Sequence, residues 1–497
     1  VRGERLQTTR DRAAELQGAE RVLEHCVALD QETAWSWTLD DAEIALETLL
    51  QLQELGESVV LEWPQGKKMR LQPQLGLAQM LVSVRKERDW FALDGQLRLE
   101  EGHVLGMRQL LELVQQSPGR FVRLSEGEFL SLTHDLRRRL DELQAFSRDG
   151  RFHPLAANAI EEATEGMAVD AGKAWKEQLA RLEAAQELEP QIPSTLQADL
   201  RPYQVEGFRW LARLAHWGAG ACLADDMGLG KTLQALALIL SHAPCGPTLV
   251  LAPTSVCANW LEETQRFAPT LKPRRFGGGD RRRMLDEAGP FDLIVCSYGL
   301  LQTEGEQLAG VNWQCIVADE AQAIKNTLTK RSRAAMALSG EFKLITTGTP
   351  IENHLGELWN LFQFINPGLL GSLQDFNRSF AYPIENRKDR GAQLRLKKLI
   401  RPFILRRLKS DVLAELPPRT EVTLQVELSE QELAFYEALR RQAMERIGEP
   451  EDHPGQRRVK VLTEIMRLRR ACCNPRLVTP DIGIDSAKLQ AFREILE

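Results

Sequence analysis

Short runs of consecutive apolar residues alternate with helix-length segments between residues 199 and 350. Continuous apolar runs are typical of parallel strands, because helices cover both faces of such a sheet. The pattern therefore predicts one α/β domain whose ligand site lies at the carboxyl ends of its strands. The predicted strands are residues 219–224, 248–252, 291–297, 315–318 and 344–346.

Residues 1–190 mix helical and strand patterns and carry no catalytic motif, so we expect an accessory α+β region. Alternation in residues 91–99 around Asp94-Gly95 predicts a hairpin that turns at this pair. The spacing of Leu136, Leu140 and Leu143 predicts an amphipathic helix. Residues 137–139, three arginines, then fall on its solvated face, with a phosphate contact as the alternative.

Prolines 190 and 193 mark a linker over residues 191–198, which precedes an ATP-binding lobe over residues 199–350. Residues 351–485 are expected to form a helical extension, and residues 486–497 to begin a connection to another lobe. The chain starts at Val1 in a charged stretch, which predicts no secretory signal. No apolar run approaches the roughly 18 residues of a membrane span.

The chain has 497 residues, of which 43% are hydrophobic, enough for several globular cores. Its eight cysteines include no CxxC pair, so neither a zinc site nor a disulfide framework is expected, and a cytoplasmic location fits best.

Net charge is −7, but residues 378–409 hold eleven basic residues against two acidic ones, Glu385 and Asp389. Such a local excess predicts a surface that faces a polyanion or docks a second lobe. The alternative is an amphipathic helix pair with a solvated face, broken near Arg401 by Pro402. The basic residues are Arg378, Arg387, Lys388, Arg390, Arg395, Lys397, Lys398, Arg401, Arg406, Arg407 and Lys409.

A phosphate-binding loop is indicated where Gly230-Lys231-Thr232 completes the pattern GxxxxGK[ST], with Asp225 in place of its first glycine. Glycines 228 and 230 allow backbone N–H groups to turn toward phosphate oxygens. Lys231 is expected to reach the β and γ phosphates of ATP, and the Thr232 hydroxyl to bind Mg²⁺. The alternative is an ordinary glycine-rich turn between a strand and a helix.

Two further strand ends carry polar residues. An apolar strand ends at Asp319 and Glu320, which we expect to hold Mg²⁺ through water and to polarise the attacking water, respectively. A solvated surface pair is the alternative. The strand ending at Thr346 runs into Thr347, Gly348 and Thr349, for which a plain turn is the alternative.

These motifs follow one another in the order of the Swi/Snf family of helicase-like ATPases in superfamily two, which the chain resembles over residues 199–480. The segments that carry the resemblance are LRPYQ (200–204), ADDMGLGKT (224–232), LVLAPTSVCANW (249–260), DEAQAIKN (319–326), LITTGTPIEN (344–353), LWNLFQFINP (358–367), RPFILRRLKSDV (401–412) and ACCNPRLV (471–478). Residues 89–102 and 121–140 resemble the accessory region of bacterial members. The resemblance implies a RecA-like P-loop lobe that uses ATP and Mg²⁺.

The resemblance also implies individual roles. Gln204 would read the adenine edge, with Arg201 or Tyr203 packing nearby. Thr347, Gly348 and Thr349 would couple the nucleotide state to DNA. Trp260 is expected in the core, with a base-stacking platform as the alternative. The residues implied in nucleotide binding are Arg201, Gln204, Asp225, Asp226, Met227, Gly228, Leu229, Gly230, Lys231 and Thr232, those in catalysis Lys231, Asp319 and Glu320, and those in contact with the DNA backbone Pro253, Thr254, Ser255, Ser297 and Tyr298.

The leading hypothesis is a motor that hydrolyses ATP and moves along double-stranded DNA. The alternatives are a strand-separating helicase and a scaffold that remodels a protein–nucleic acid complex, with residues 1–190 as a possible protein-binding module. Residues 486–496 resemble the segment that leads into the second lobe of such motors. We expect that lobe to lie outside this chain, so the chain alone should bind ATP weakly and hydrolyse it slowly.

Overall fold

The computed structural model describes residues 11–29, 36–64, 69–99, 103–117, 119–348, 354–412, 422–448 and 454–497, without the side chains of residues 57 and 454–458. Their contacts divide the chain into two compact units, Val1–Leu413 and Ala414–Glu497.

The first unit begins with a mixture of helices and small sheets, as the patterns in residues 1–190 predict. The helices are α1 (Arg12–His25), α2 (Ala42–Glu54), α3 (Met107–Gln116), α4 (His134–Phe146), α5 (Ala157–Thr164) and α6 (Lys173–Glu187). The strands are β1 (Arg70–Leu75), β2 (Met80–Glu87), β3 (Trp90–Arg98), β4 (Val104–Gly106), β5 (Phe121–Ser125), β6 (Glu128–Leu132), β7 (Arg151–Phe152) and β8 (Ala168–Ala171). They form one sheet in the order β1-β6-β5 and another in the order β4-β3-β2-β8, with β7 paired to β3.

The hairpin predicted at Asp94-Gly95 is wrong, because β3 runs unbroken through this pair. The turn lies between β2 and β3, where Arg88 adopts a positive φ of 55°. Gly95 is required for another reason. A Cβ at this position would lie 2.5 Å from the carbonyl oxygen of Leu81 on the neighbouring strand. The glycine therefore marks a close approach of two strands rather than a turn.

The amphipathic helix predicted from the leucine spacing is confirmed as α4, in which Leu136, Leu140 and Leu143 are fully buried. The solvated face predicted for the three arginines holds only for Arg138, whose side chain is 63% exposed. Arg137 lies 3.3 Å from Asp141, and Arg139 lies 3.7 Å from Glu165. The side chains of Arg137 and Arg139 are mostly buried, and each is paired with an acidic residue of the accessory region.

The ATP-binding lobe predicted over residues 199–350 contains a parallel sheet. Its helices are α7 (Pro202–Trp217), α8 (Lys231–His242), α9 (Cys257–Phe267), α10 (Arg281–Asp286), α11 (Tyr298–Ala309) and α12 (Lys330–Met336). Its strands are β9 (Ala221–Leu223), β10 (Thr248–Ala252), β11 (Lys272–Arg275), β12 (Asp292–Ser297), β13 (Trp313–Asp319) and β14 (Gly340–Thr346). All five predicted strands are present, and β11 is an additional strand whose sequence, KPRR, hides it from a search for apolar runs.

The sheet order is β11-β12-β10-β13-β14-β9, followed by a seventh strand from the extension, and every pairing is parallel. This fold is a RecA-like P-loop lobe. Its central strands consist almost entirely of buried residues, as expected for a sheet that is covered on both faces.

The extension is mainly helical, with α13 (Leu355–Ile365), α14 (Leu373–Phe376), α15 (Tyr382–Arg387), α16 (Arg390–Ile400) and α17 (Lys409–Val412). Helix α16 ends before Pro402, as predicted, and β15 (Ile404–Leu405) then pairs with β9. The basic stretch is partly internal, which corrects the expectation of one polyanion-facing surface. Lys398 Nζ lies 2.9 Å from Glu142 and 3.2 Å from Glu162 of the accessory region.

The second unit contains α18 (Glu430–Gly448), α19 (Pro454–Cys473) and α20 (Ala487–Leu496). Arg446 bridges α18 to α19 through Glu464 at 3.1 Å. Among the described residues of the whole chain, no helix combines the length and apolarity needed to cross a membrane. All eight cysteines are free thiols.

Candidate nucleotide-binding site

Three segments that are distant in sequence meet at the carboxyl edge of the sheet. Strand β14 lies between β9, which leads into the phosphate loop, and β13, which ends in the carboxylate pair. In the register of these strands, Thr346 is opposite Asp319 on one side and Leu223 on the other. The sheet therefore brings the predicted loop, the acidic pair and the threonine segment together.

The phosphate loop has the backbone conformation that its glycines predict. Gly228 and Gly230 have φ values of 83° and 75°. A Cβ on Gly230 would lie 2.3 Å from Gln204 Nε2, so a larger residue would be strained at this positive φ and would displace the Gln204 amide. Helix α8 begins directly afterwards at Lys231, so its N-terminal N–H groups follow the loop. Leu229 is fully buried beneath the turn.

Gln204 supports this loop from the start of α7. Its Nε2 donates to the carbonyl oxygen of Leu229 at 3.2 Å, and its Oε1 accepts from the backbone N–H of Arg201 at 2.9 Å. Arg201 itself is exposed. One side-chain amide thus ties the first turn of α7 to the phosphate loop.

The Lys231 ammonium is folded onto its own loop. Its Nζ donates to the carbonyl oxygens of Asp225 at 2.8 Å and Asp226 at 3.3 Å. Burial lowers the pKa of Lys231, whereas neighbouring carboxylates, Glu320 foremost, raise it. Among the described residues, this cation donates only to neutral carbonyl oxygens, so the oxygens of a phosphate would be stronger partners for it. The residues present therefore fit a nucleotide phosphate chain.

Asp225 has a different role from the one predicted. Its side chain is 0% exposed, and its carboxylate holds Arg407 from the segment after β15. Arg407 donates from its backbone N and Nε to Asp225 Oδ1 at 3.1 and 3.0 Å, and from its terminal nitrogen to Oδ2. The same guanidinium bonds to the carbonyl oxygen of Tyr203 and to Gln234 Oε1. The Asp225 side chain therefore anchors the loop from behind instead of facing phosphate.

A second lysine lies near the loop. Asp226 Oδ2 accepts from the backbone N–H of Lys409 at 3.1 Å, and a Cβ on Gly228 would lie 3.4 Å from Lys409 Nζ. Met227 is 64% exposed, and its Cγ would lie 3.3 Å from a Cβ on Gly348. Sequence reasoning missed both Arg407 and Lys409 as site residues, although both lie in the basic stretch and in the segment RPFILRRLKSDV (401–412).

Asp319 is held by donors from several elements. Its Oδ1 accepts from Thr346 Oγ1 at 2.6 Å and from the backbone N–H of Glu320 at 3.1 Å. Its Oδ2 accepts from Trp260 Nε1 at 2.8 Å. Its carbonyl oxygen accepts from the Tyr298 hydroxyl at 2.8 Å. The prediction of Trp260 as a core residue is confirmed, and its indole N–H additionally orients a site carboxylate.

Glu320 stands at the end of β13 in the left-handed region, with φ 48°. This conformation costs a residue with a side chain roughly 1–2 kcal/mol and turns Glu320 away from the line of the strand. Its Oε2 accepts from Gln322 Nε2 at 2.9 Å, while Gln322 Oε1 accepts from Thr347 Oγ1 at 3.3 Å. Gln322 therefore connects the segment after β14 to the predicted catalytic base.

The oxygen ligands that Mg²⁺ prefers are available beside the loop. Thr232 lies in the first turn of α8, and its hydroxyl lies near the carboxyl group of Glu263 of α9. Burial and the neighbouring Asp319 raise the pKa of Glu263, and the Thr232 hydroxyl lowers it. The hydroxyl and the two carboxyl groups form a donor set that fits the predicted metal.

The description of the matching family is SNF2-related domain, and the match extends over residues 203–477. The chain belongs to this family. The putative ATP-dependent helicase/translocase YwqA of Bacillus subtilis (strain 168) is 38% identical over 396 residues, which are 76% of this chain and 42% of YwqA. The ISWI chromatin-remodeling complex ATPase CHR11 of Arabidopsis thaliana is 38% identical over 57% of this chain and 27% of CHR11.

Among solved structures, the Sulfolobus solfataricus SWI2/SNF2 ATPase core in complex with dsDNA is 36% identical, with a TM-score of 0.44, over 62% of this chain and 66% of that chain. The chain spans less than half of the length of YwqA and of CHR11.

The residues that the SNF2 resemblance implies in DNA contact differ in accessibility. Thr254 and Ser255 are exposed, and Pro253 is half-buried. Ser297 caps α11, where its Oγ accepts from the backbone N–H of Leu300 at 3.3 Å. The structure contradicts the DNA contact of Tyr298, because its ring is buried and its hydroxyl is bonded to Asp319.

Of the three residues predicted to couple the nucleotide state to DNA, Thr347 is buried and Gly348 is half-buried directly after β14. Thr349 lies outside the described residues.

Proposed function

We propose that the chain is the accessory region and first ATP-binding lobe of a motor that hydrolyses ATP to ADP and phosphate and moves along double-stranded DNA. The observation that carries this proposal is the meeting of Lys231, Asp319 and Glu320 at one edge of the sheet. Strand β10 pairs with β13 in parallel, so both strands end at the same edge of the sheet. The exposed loop of Thr254 and Ser255 follows β10 and therefore starts at this edge.

In this proposal each group acts from the position that it has in the structure. Lys231 exchanges loop carbonyls for the β and γ phosphates of ATP. Thr232 and Asp319 would hold Mg²⁺, which offsets phosphate charge when bound. Glu320 orients and polarises the attacking water. Gln204, while holding the loop, reads the adenine edge with its remaining hydrogen-bonding capacity.

Contacts to the DNA backbone are assigned to the exposed loop after β10 and to Ser297. Hydroxyl groups and loop amides hold any sequence equally well, as a motor that tracks along DNA requires. Thr347 and Gly348 are assigned to coupling, because Thr347 reaches Glu320 through Gln322. A second RecA-like lobe would supply the arginine fingers that complete the site.

The name of the Bacillus relative, ATP-dependent helicase/translocase, supports a motor, and that of CHR11 supports remodelling of a DNA-bound complex. The alignment with YwqA is longer than residues 203–477, so the likeness continues outside the family domain. This supports a bacterial-type accessory region over residues 1–190, to which the proposal assigns the binding of a protein partner. Eight free thiols suit a cytoplasmic location.

The test is the ATPase rate of the full-length protein, with its second lobe, with and without duplex DNA. We expect duplex DNA to stimulate wild type, and Glu320→Gln to lose turnover while ADP still binds. Displacement of a third strand from a triplex, without separation of a duplex, would identify a translocase. Separation of duplex strands would favour a helicase instead. Equal rates with and without DNA, or full turnover by Glu320→Gln, would refute the proposal.

A further inference from the structure

We infer that Trp260 is a positioning residue that links the loop 253–256 to the orientation of the Asp319 carboxylate. This inference rests on the proposed function, in which that loop meets DNA and Asp319 serves the metal. It assigns the indole N–H a task beyond filling the core.

The contact is direct and shielded from water. Trp260 Nε1 donates to Asp319 Oδ2 at 2.8 Å, and both side chains are buried, with Trp260 only 1% exposed. A buried indole N–H needs an acceptor, and a carboxylate is the strongest acceptor that a protein offers. The indole is closely surrounded, so it has little freedom to follow a rotation of the carboxylate.

Among the described residues, the two carboxylate oxygens differ in their support. Oδ1 accepts from Thr346 and from the backbone of Glu320, whereas Oδ2 accepts only from Trp260. The backbone of Asp319 is fixed separately by the Tyr298 hydroxyl. Loss of the indole N–H therefore leaves the residue in place but removes the one donor that sets the second oxygen.

The same tryptophan belongs to the first turn of α9, which is bonded to the proposed DNA-facing loop. The backbone N–H groups of Val256 and Cys257 donate to the carbonyl oxygen of Pro253 at 2.9 and 3.2 Å. The N–H of Trp260 donates to the carbonyl oxygen of Val256 at 3.2 Å. A shift of this loop on DNA would move the start of α9 and, through the indole, the carboxylate.

The matched comparison is Trp260→Phe against Trp313→Phe. Trp313 is also 1% exposed, and its Nε1 donates at 2.9 Å to the carbonyl oxygen of Leu308, which is not a site residue. Both changes remove an indole N–H from the core, but only the first touches Asp319. Thermal melting of the two variants measures their shared packing loss.

The first readout is the affinity of Mn²⁺, measured by electron paramagnetic resonance, for the ADP complex of the chain. Loss of an outer partner of a metal ligand typically weakens metal binding about 10–100-fold. We expect Trp260→Phe to weaken Mn²⁺ binding by at least about tenfold and Trp313→Phe to leave it unchanged. Equal Mn²⁺ affinities in wild type and Trp260→Phe, or equal losses in both variants, would overturn the inference.

A second readout uses wild type, so it does not depend on the folding of a variant. In ¹⁵N-labelled protein, the Trp260 indole resonance should shift when Mg²⁺ and ADP are added together, and the Trp313 resonance should not. An unmoved Trp260 resonance would contradict the inference.

A third readout is duplex stimulation of ATP turnover in the full-length protein, which should fall in Trp260→Phe with an unchanged KM for ATP. Unchanged stimulation in this variant would refute the link to the loop. If wild type itself is not stimulated by DNA, the proposed function fails, while the Mn²⁺ and resonance measurements still decide whether Trp260 positions Asp319.

Discussion

Replacement of Arg407 by methionine removes the guanidinium that neutralises Asp225 and leaves the backbone N–H in place. Asp225 is fully buried, so its carboxylate cannot recover hydration without opening the base of the phosphate loop. After the change, the described donors to the Asp225 carboxylate would be the backbone N–H of position 407 at 3.1 Å and Gln234 Nε2 at 3.5 Å. The charge would therefore be partly bonded but no longer paired.

The expected loss follows from this arrangement. Removal of one partner from a buried ion pair costs about 3–5 kcal/mol. The retained backbone donor places Arg407→Met near the lower end, at about 3 kcal/mol. For a domain of about 150–250 residues, such as the ATP-binding lobe, each kcal/mol of lost stability lowers Tm by roughly 2–4 °C. The expected decrease in Tm is therefore about 6–12 °C.

The assay is thermal melting followed by circular dichroism, with Arg406→Met as the control. Arg406 is adjacent and exposed, so its loss should change Tm little. The double variant Asp225→Asn with Arg407→Met should recover much of the loss, because it leaves no buried charge. Equal melting of the Arg406 and Arg407 variants, or additive losses in the double variant, would refute the reasoning.

Gly230→Ala should weaken ADP binding, measured by calorimetry, at least about tenfold, because a left-handed alanine costs roughly 1–2 kcal/mol and its methyl would lie 2.3 Å from Gln204 Nε2. Burial lowers the pKa of the Lys231 ammonium, so the folded state disfavours this charge. Lys231→Ala should therefore abolish ATP turnover and nucleotide binding without lowering Tm. Burial lowers the pKa of His153 to about 4, and the neutral ring accepts the N–H of Leu155. The unfolded chain takes up this proton first, so urea melts should show up to roughly 3 kcal/mol of stability lost as pH falls from about 6.5 to about 4, and His153→Gln should reduce this loss.

The sheet and the meeting of the motifs could be predicted because they depend on local patterns. Apolar runs mark buried strands, and parallel strands necessarily place their carboxyl ends at one edge. Lys231, Asp319 and Glu320 each follow such a run, so their meeting required no knowledge of side-chain contacts. The family resemblance added roles to these positions.

The remaining features depend on contacts that no local pattern records. Nothing near Arg406 and Arg407 in the sequence shows which arginine is buried, because the partner, Asp225, is 182 residues away. Tyr298 and Ser297 are neighbours in one motif, yet the ring turns inward and only the serine stays accessible. Gly95 resembled a turn residue because glycine serves turns and close strand contacts alike.

The strand β15 also has a consequence for the order in which the protein can mature on the ribosome. At about 5–20 residues per second, the 182 residues between Asp225 and Arg407 take roughly 9–36 s to translate. During that interval β9 is an open edge of the nascent sheet, and a carboxylate destined for the interior has no counter-ion. The nucleotide pocket is therefore completed late in synthesis, and a messenger or protein truncated before residue 404 would release a lobe with an unpaired strand edge, which is prone to aggregate.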